Sequence, residues 1–175
     1  MTGPDDRAGT SYRRVFSDLL AELTRACQEV YGSRLVSLAV FGSVGRDRPR
    51  PDSDIDIFLV ARDLPRGRIP RVDEFSAVEA RLEPHLEQAR AKGVSTRLSP
   101  ILLSPEEVLA KGPGFVDMAL DALVLHDREG FFASLVKRLR RQLKESGARQ
   151  VETGGTPHWR LGPPAGGGGA GDGTS

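Results

Sequence analysis

Two short apolar runs constrain this chain most. Leu35–Phe41 and Ile55–Val60 are rich in β-formers, and each is bounded by Gly, Pro, Asp and Ser. Runs of that length read as buried strands. Helical period precedes the first: Val15, Phe16, Leu19, Leu20, Leu23, Ala26, Cys27 and Val30 recur at spacings of three and four, with Gly32 as a left-handed stop. The period returns after the second in Val72, Phe75, Val78, Leu82, Leu86 and Ala89, with Pro70 near the start and Pro84 expected to bend the second half. A strand is expected over Val94–Leu103, where Pro100 points to an edge or a break. Ser104-Pro105-Glu106-Glu107 has the form of a capping box opening a short helix. A helical stretch over Phe115–Leu120, a short run Leu123–Leu125, and a last helix marked by Phe132, Leu135, Val136, Leu139 and Leu143 follow, ended by Gly147.

The expected fold class is α/β (α+β), with helices and strands mixed throughout and no internal repeat. Residues 1–10 are polar and residues 163–175 are Gly-rich, so both are expected as disordered tails around a domain at 11–150. Val151 and Trp159–Leu161 flank Gly154-Gly155, the pattern of a small terminal hairpin over 151–162. At 175 residues the chain can bury roughly 70% of its unfolded surface, so its core needs neither disulfides nor structural zinc. The longest apolar stretches, such as Ile57–Ala61, fall far short of the roughly 20 residues that cross a bilayer. The polar, acid-bearing N-terminus has neither a signal h-region nor transit-peptide composition, so the expected location is cytoplasmic. With 25 basic and 24 acidic side chains there is no global field for nucleic acid or anionic lipid. Cys27 falls in line with Leu20, Leu23 and Val30, which makes it a packed thiol rather than a nucleophile.

One segment stands apart from core and surface. Val40-Phe41-Gly42-Ser43 ends the first strand; after ten intervening residues, Asp54-Ile55-Asp56-Ile57 opens the second. Gly42 has no Cβ and lets the backbone approach a ligand closely, while Ser43 adds a hydroxyl and an amide near a helix start, together a seat for phosphate. Asp54 and Asp56 alternate on a strand of period two, so both carboxylates leave one face. Two like charges that close need a cation, and Mg²⁺ accepts one or two carboxylates with phosphate oxygens and water. Gly-Ser alone is an ordinary turn dipeptide, and Asp-x-Asp alone commonly caps a strand or loop. Flanked by apolar strands on either side, the two together read as a site.

These residues resemble the signature of the DNA polymerase beta nucleotidyltransferase superfamily: Phe41-Gly42-Ser43 and Asp54-Ile55-Asp56-Ile57 match it position for position. The compact length and the Gly-Ser-x-x-Arg form, with Arg46 in the arginine place, are most similar to the minimal (MNT-type) nucleotidyltransferases of bacteria and archaea. The resemblance implies a nucleotidyltransferase fold, a mixed β-sheet flanked by helices. It implies Asp54 and Asp56 as catalytic residues holding two Mg²⁺, and Gly42, Ser43 and Arg46 as nucleotide-binding residues for an NTP, ATP foremost. The implied reaction is transfer of NMP to a hydroxyl of a protein or small molecule, with pyrophosphate leaving. It also implies an antitoxin-like role with a HEPN-type toxin as acceptor or partner; nucleic acid and membrane are not among the expected partners. A third carboxylate on a neighbouring strand belongs to the pattern, yet that strand reads Ser95-Thr96-Arg97-Leu98-Ser99. Asp52 is the nearest acid in alternation with Asp54. The second reading is therefore a nucleotide-binding or protein-interaction module of the same fold.

Weaker signals take ordinary readings. Arg48 and Arg50 suit a solvated basic loop as well as phosphate. The basic stretch Lys137–Lys144 complements a helix C-terminus. His85, His126 and His158 show no zinc spacing, and Trp159 suits a hairpin better than a base-stacking platform.

Overall fold

The computed structural model of the chain describes residues 4–110, 116–145, 147, 149–153 and 156–160. Helix α1 (Pro4–Tyr31) leads through a 3₁₀ turn to β1 (Leu35–Phe41), followed at once by the one-turn α2 (Gly42–Gly45). Strand β2 (Ile55–Ala61), the long α3 (Arg68–Ala91) and β3 (Leu98–Leu103) form a crossover. Then come α4 (Pro105–Ala110), α5 (Val116–Leu120), β4 (Leu123–Asp127) and α6 (Phe131–Glu145), and last the hairpin strands β5 (Arg149–Thr153) and β6 (Thr156–Arg160). The main sheet runs β3-β2-β1-β4. β1 is antiparallel to β2 and β4, whereas β2 and β3 are parallel, so the sheet is mixed. β5 and β6 pair antiparallel as a separate ribbon.

Strand alternation divides the sheet into two covered faces. Leu38, Val40, Ile55, Ile57 and Leu59 pack with the apolar stripes of α1 and α3. Val36, Ala39, Phe58 and Val60 pack with α6 and with Val108 and Ala119. On that second face the Phe58 and Phe132 rings meet at 5.8 Å in a tilted pair. Cys27 is fully buried in α1, and burial pushes its thiol up to about 12, as suits packing rather than reaction. No helix among the described residues is long and apolar enough to cross a membrane.

Two expectations change, at residues 4–10 and at the start of the third strand. Residues 4–10, expected as tail, are helical: lengthening a helix already nucleated by packing adds a hydrogen bond per residue, and Pro4 at the first helical position sacrifices none. Pro84 lies inside α3, which continues through it from Arg68 to Ala91. The third strand begins at Leu98 rather than Val94, because Val94 and Ser95 are tied elsewhere: Val94 is buried in the α1/α3 core and the Ser95 N–H donates to the Pro51 carbonyl at 2.8 Å. The Gly-rich stretch 163–175 lies outside the described residues.

β3 is an edge strand. The Ile55 N–H donates to the Arg97 carbonyl at 2.8 Å, and the parallel register continues Asp56 to Ser99 and Ile57 to Pro100. Leu98, Pro100 and Leu102 therefore turn their backbone groups outward. Pro100 has no N–H to present there, and the Leu102 carbonyl accepts a hydrogen bond from Arg71 Nη1 at 3.1 Å.

Candidate active site

The site lies where β1 ends. Phe41 pairs with Asp56 across β1 and β2, and the backbone then turns through Gly42 at φ +71°. A Cβ there would stand 2.5 Å from Asp56 Oδ2, so close approach and left-handed backbone both require glycine. Gly45 closes the same turn, since a Cβ on it would collide with the Val40 carbonyl.

The 46–53 loop is stitched back onto this turn. The Arg46 N–H donates to the Gly42 carbonyl at 3.1 Å and the Arg48 N–H to the Ser43 carbonyl at 2.9 Å. The Ser43 hydroxyl, half-buried, donates to Ser53 Oγ at 2.9 Å, and Ser53 Oγ also accepts from the Arg50 N–H at 2.8 Å. Arg46 Nη1 stands 4.0 Å from Asp121 Oδ2, the two side chains 43% and 40% exposed. At that exposure the pair is a loose tether that leaves the guanidinium free to turn. Asp47 pairs instead with Arg13 of α1 at 3.7 Å.

Asp56 leads the second face of β2 and is half-buried; Asp54 is exposed and sits one residue before the strand. Burial holds the Asp56 carboxyl above its usual range, and the charge of Asp54 pushes the same way. A hydrogen bond from the Ser99 side chain and the charge of Arg46 oppose the shift. Ser99 is opposite Asp56 in the parallel register. Serine therefore occupies the strand position beside the aspartate pair where a third acid is absent.

Gly42, Ser43, Arg46, Asp54 and Asp56 thus meet at one corner of the sheet. Asp52 is exposed, and the charges acting on Asp56 are those of Asp54 and Arg46. Arg50 contributes its backbone N–H to the loop stitch. In the basic stretch of α6, Arg138 Nη2 donates to the Leu109 carbonyl at 3.1 Å, a packing role. Among the described residues no three His, Cys, Asp or Glu side chains gather as a ready-made metal cage. Two hard carboxylates, one of them disfavoured as a bare anion, fit a divalent cation that brings further oxygens with it, as a metal–triphosphate does. Sequence pattern missed Ser53, Ser99 and Asp121. Ser53 lay inside the signature without a role to mark it, and Ser99 and Asp121 reach the site only through strand register and chain return.

The chain is similar to known proteins to differing extents. A model of the "Nucleotidyltransferase domain" family matches residues 20–152. A Methanocaldococcus jannaschii protein that carries the name putative protein adenylyltransferase is 26% identical over 133 residues, covering 75% of this chain and 85% of its own. Among solved structures, a toxin–antitoxin complex with AMP-PNP gives a TM-score of 0.44 at 12% identity, covering 72% of this chain and 87% of that one. The structure of a Sulfolobus solfataricus protein that carries the name putative nucleotidyltransferase gives 0.42 at 20% identity, over 68% and 89%.

Proposed function

This chain belongs to the nucleotidyltransferase domain family, and from that premise we propose that it transfers a nucleoside monophosphate from an NTP, ATP foremost, to a hydroxyl of a protein or small molecule. The observation that carries the reading is the contact between Gly42 and Asp56. A backbone turn that only glycine can make stands against a carboxylate held above its usual range, with Ser43 and Arg46 on the same turn.

In this reading Asp54 and Asp56 hold Mg²⁺, two ions by family analogy; bound there, the metal would neutralise phosphate charge and polarise the reacting phosphorus. Gly42 leaves room for the outer phosphates, the Ser43 hydroxyl donates to one of them, and Arg46 leaves Asp121 to pair with phosphate oxygens. The catalytic work of these residues is positioning and charge stabilisation. The name of the archaeal relative supports a protein acceptor. A HEPN-type toxin as that acceptor, and a cytoplasmic setting, rest on the family resemblance and on composition.

Ser99 beside Asp56 favours one second reading: a module that binds the nucleotide without turning it over. Labelled triphosphates with Mg²⁺ and cell lysate as acceptor separate the two. A chelator-sensitive adduct, lost in both Asp54→Asn and Asp56→Asn, is expected for transfer. Tight nucleotide binding with no adduct would replace the first reading by the second, and an unimpaired Asp56→Asn enzyme would refute the metal assignment.

A further inference from the structure

We propose that Ser99 is itself an acceptor, so that the chain nucleotidylates its own β3 strand; this rests on the transferase reading above. Phe41, Asp56 and Ser99 form one row across three neighbouring strands, β1, β2 and β3. Strands lie about 4.8 Å apart, so the row measures roughly 10 Å from end to end. Gly42, next to Phe41, ends the row on the phosphate side, and Ser99 ends it on the other. A triphosphate laid along it with its outer phosphates over the Gly42-Ser43 turn brings its α-phosphorus over Asp56. The pyrophosphate then faces the turn and the opposite side of the phosphorus faces β3, the arrangement an in-line displacement requires.

Ser99 is the hydroxyl on that side. It is exposed and stands opposite Asp56 in the parallel register, on the same face of the sheet. One strand spacing separates the two backbones, which leaves Oγ able to come within the roughly 3–3.5 Å of a near-attack position. In the step, Ser99 Oγ forms a bond to the α-phosphorus. The bond from that phosphorus to the α,β-bridging oxygen breaks, and pyrophosphate leaves with the electron pair. The Oγ proton passes to a carboxylate oxygen of Asp56, one strand away, and then to water. NTP and serine become a serine-linked nucleoside monophosphate and pyrophosphate, with nothing oxidised or reduced. A third carboxylate at this position would only assist an incoming acceptor, whereas a serine there can also be one.

The whole chain is incubated with Mg²⁺ and ATP, and its intact mass and peptide map are read. The expected result is one AMP per chain, located on Ser99, with one equivalent of pyrophosphate released. The adduct is lost in Ser99→Ala and retained in Ser99→Thr, both checked for folding by circular dichroism. The modified chain, separated by ion exchange, is expected to bind fresh ATP at least about tenfold more weakly by calorimetry, because the adduct occupies the row. An adduct on another residue, or one that persists in Ser99→Ala, overturns the proposal. A wild-type chain that labels a lysate protein but never itself also overturns it while leaving the transferase reading intact. Binding of ATP with no transfer to any acceptor overturns both.

Discussion

Gly42 and Asp56 constrain one another, and substitution of either is expected to show this in different measurements. Gly42→Ala places a methyl group at left-handed backbone against the Asp56 carboxylate. The conformational strain alone costs about 1–2 kcal/mol, so a lower Tm and loss of nucleotide binding are expected together. Asp56→Asn is expected to do the reverse to stability. The folded protein holds the Asp56 carboxyl above the ordinary carboxylate value, chiefly because burial disfavours its charge. Its contribution is therefore fully present below the unfolded pKa and is lost as pH rises through the folded one. Chemical denaturation should show the variant matching wild type in acid, below the ordinary aspartate range of about 4, and exceeding it near neutrality, while transfer is abolished. An unchanged difference across that range would mean that the carboxylate is not disfavoured in the metal-free fold. Gly42, Ser43, Asp54 and Asp56 could be picked out as candidates from the sequence because the chemistry proposed for them depends on near neighbours and strand alternation. Asp54 proved to lie just outside the strand without leaving the site. Ser99 was visible only as a missing acid, because its place opposite Asp56 depends on register across the crossover.

At the scale of elements, the α4 capping box was readable from four residues, and the structure connects it to more than a helix start. The Ser104 N–H donates to Glu107 Oε2 at 2.8 Å, and the Glu107 N–H returns a bond to Ser104 Oγ at 3.3 Å. The same carboxylate receives both Arg71 Nη1 and Nη2, at 2.7 and 3.0 Å, and Arg71 also bonds the Pro65 and Leu102 carbonyls. One guanidinium thus joins the start of α3, the outer edge of β3 and the start of α4. Glu107→Ala removes the cap and strands a largely buried cation. A loss of about 2 kcal/mol is expected in urea unfolding, with Glu107→Gln costing less because it keeps an acceptor. Equal losses in the two variants would assign the effect to packing rather than to the bidentate pair. Pro100 signalled the edge strand correctly. The strand's start at Leu98 was not readable, because the residues before it are held by a long-range bond to Pro51.

Across the whole molecule, the apolar patterns named both strands of the signature and the helices that cover them, and the mixed sheet followed from the family resemblance. The order β3-β2-β1-β4 has no local signal, since it depends on how distant segments meet. Asp56 and Ser99 belong to parallel neighbours joined through the whole of α3, so this corner cannot assemble from one continuous stretch of chain. Closing so long a connection is slow compared with forming a helix. After dilution from denaturant, far-ultraviolet ellipticity should recover before binding of a fluorescent ATP analogue does; simultaneous recovery would mean that the crossover docks as early as its helix forms. On the transferase reading, a ribosome-bound chain that has not yet emitted residue 99 would, on the same grounds, be unable to consume cellular triphosphate, so that emergence of β3 would time the onset of activity.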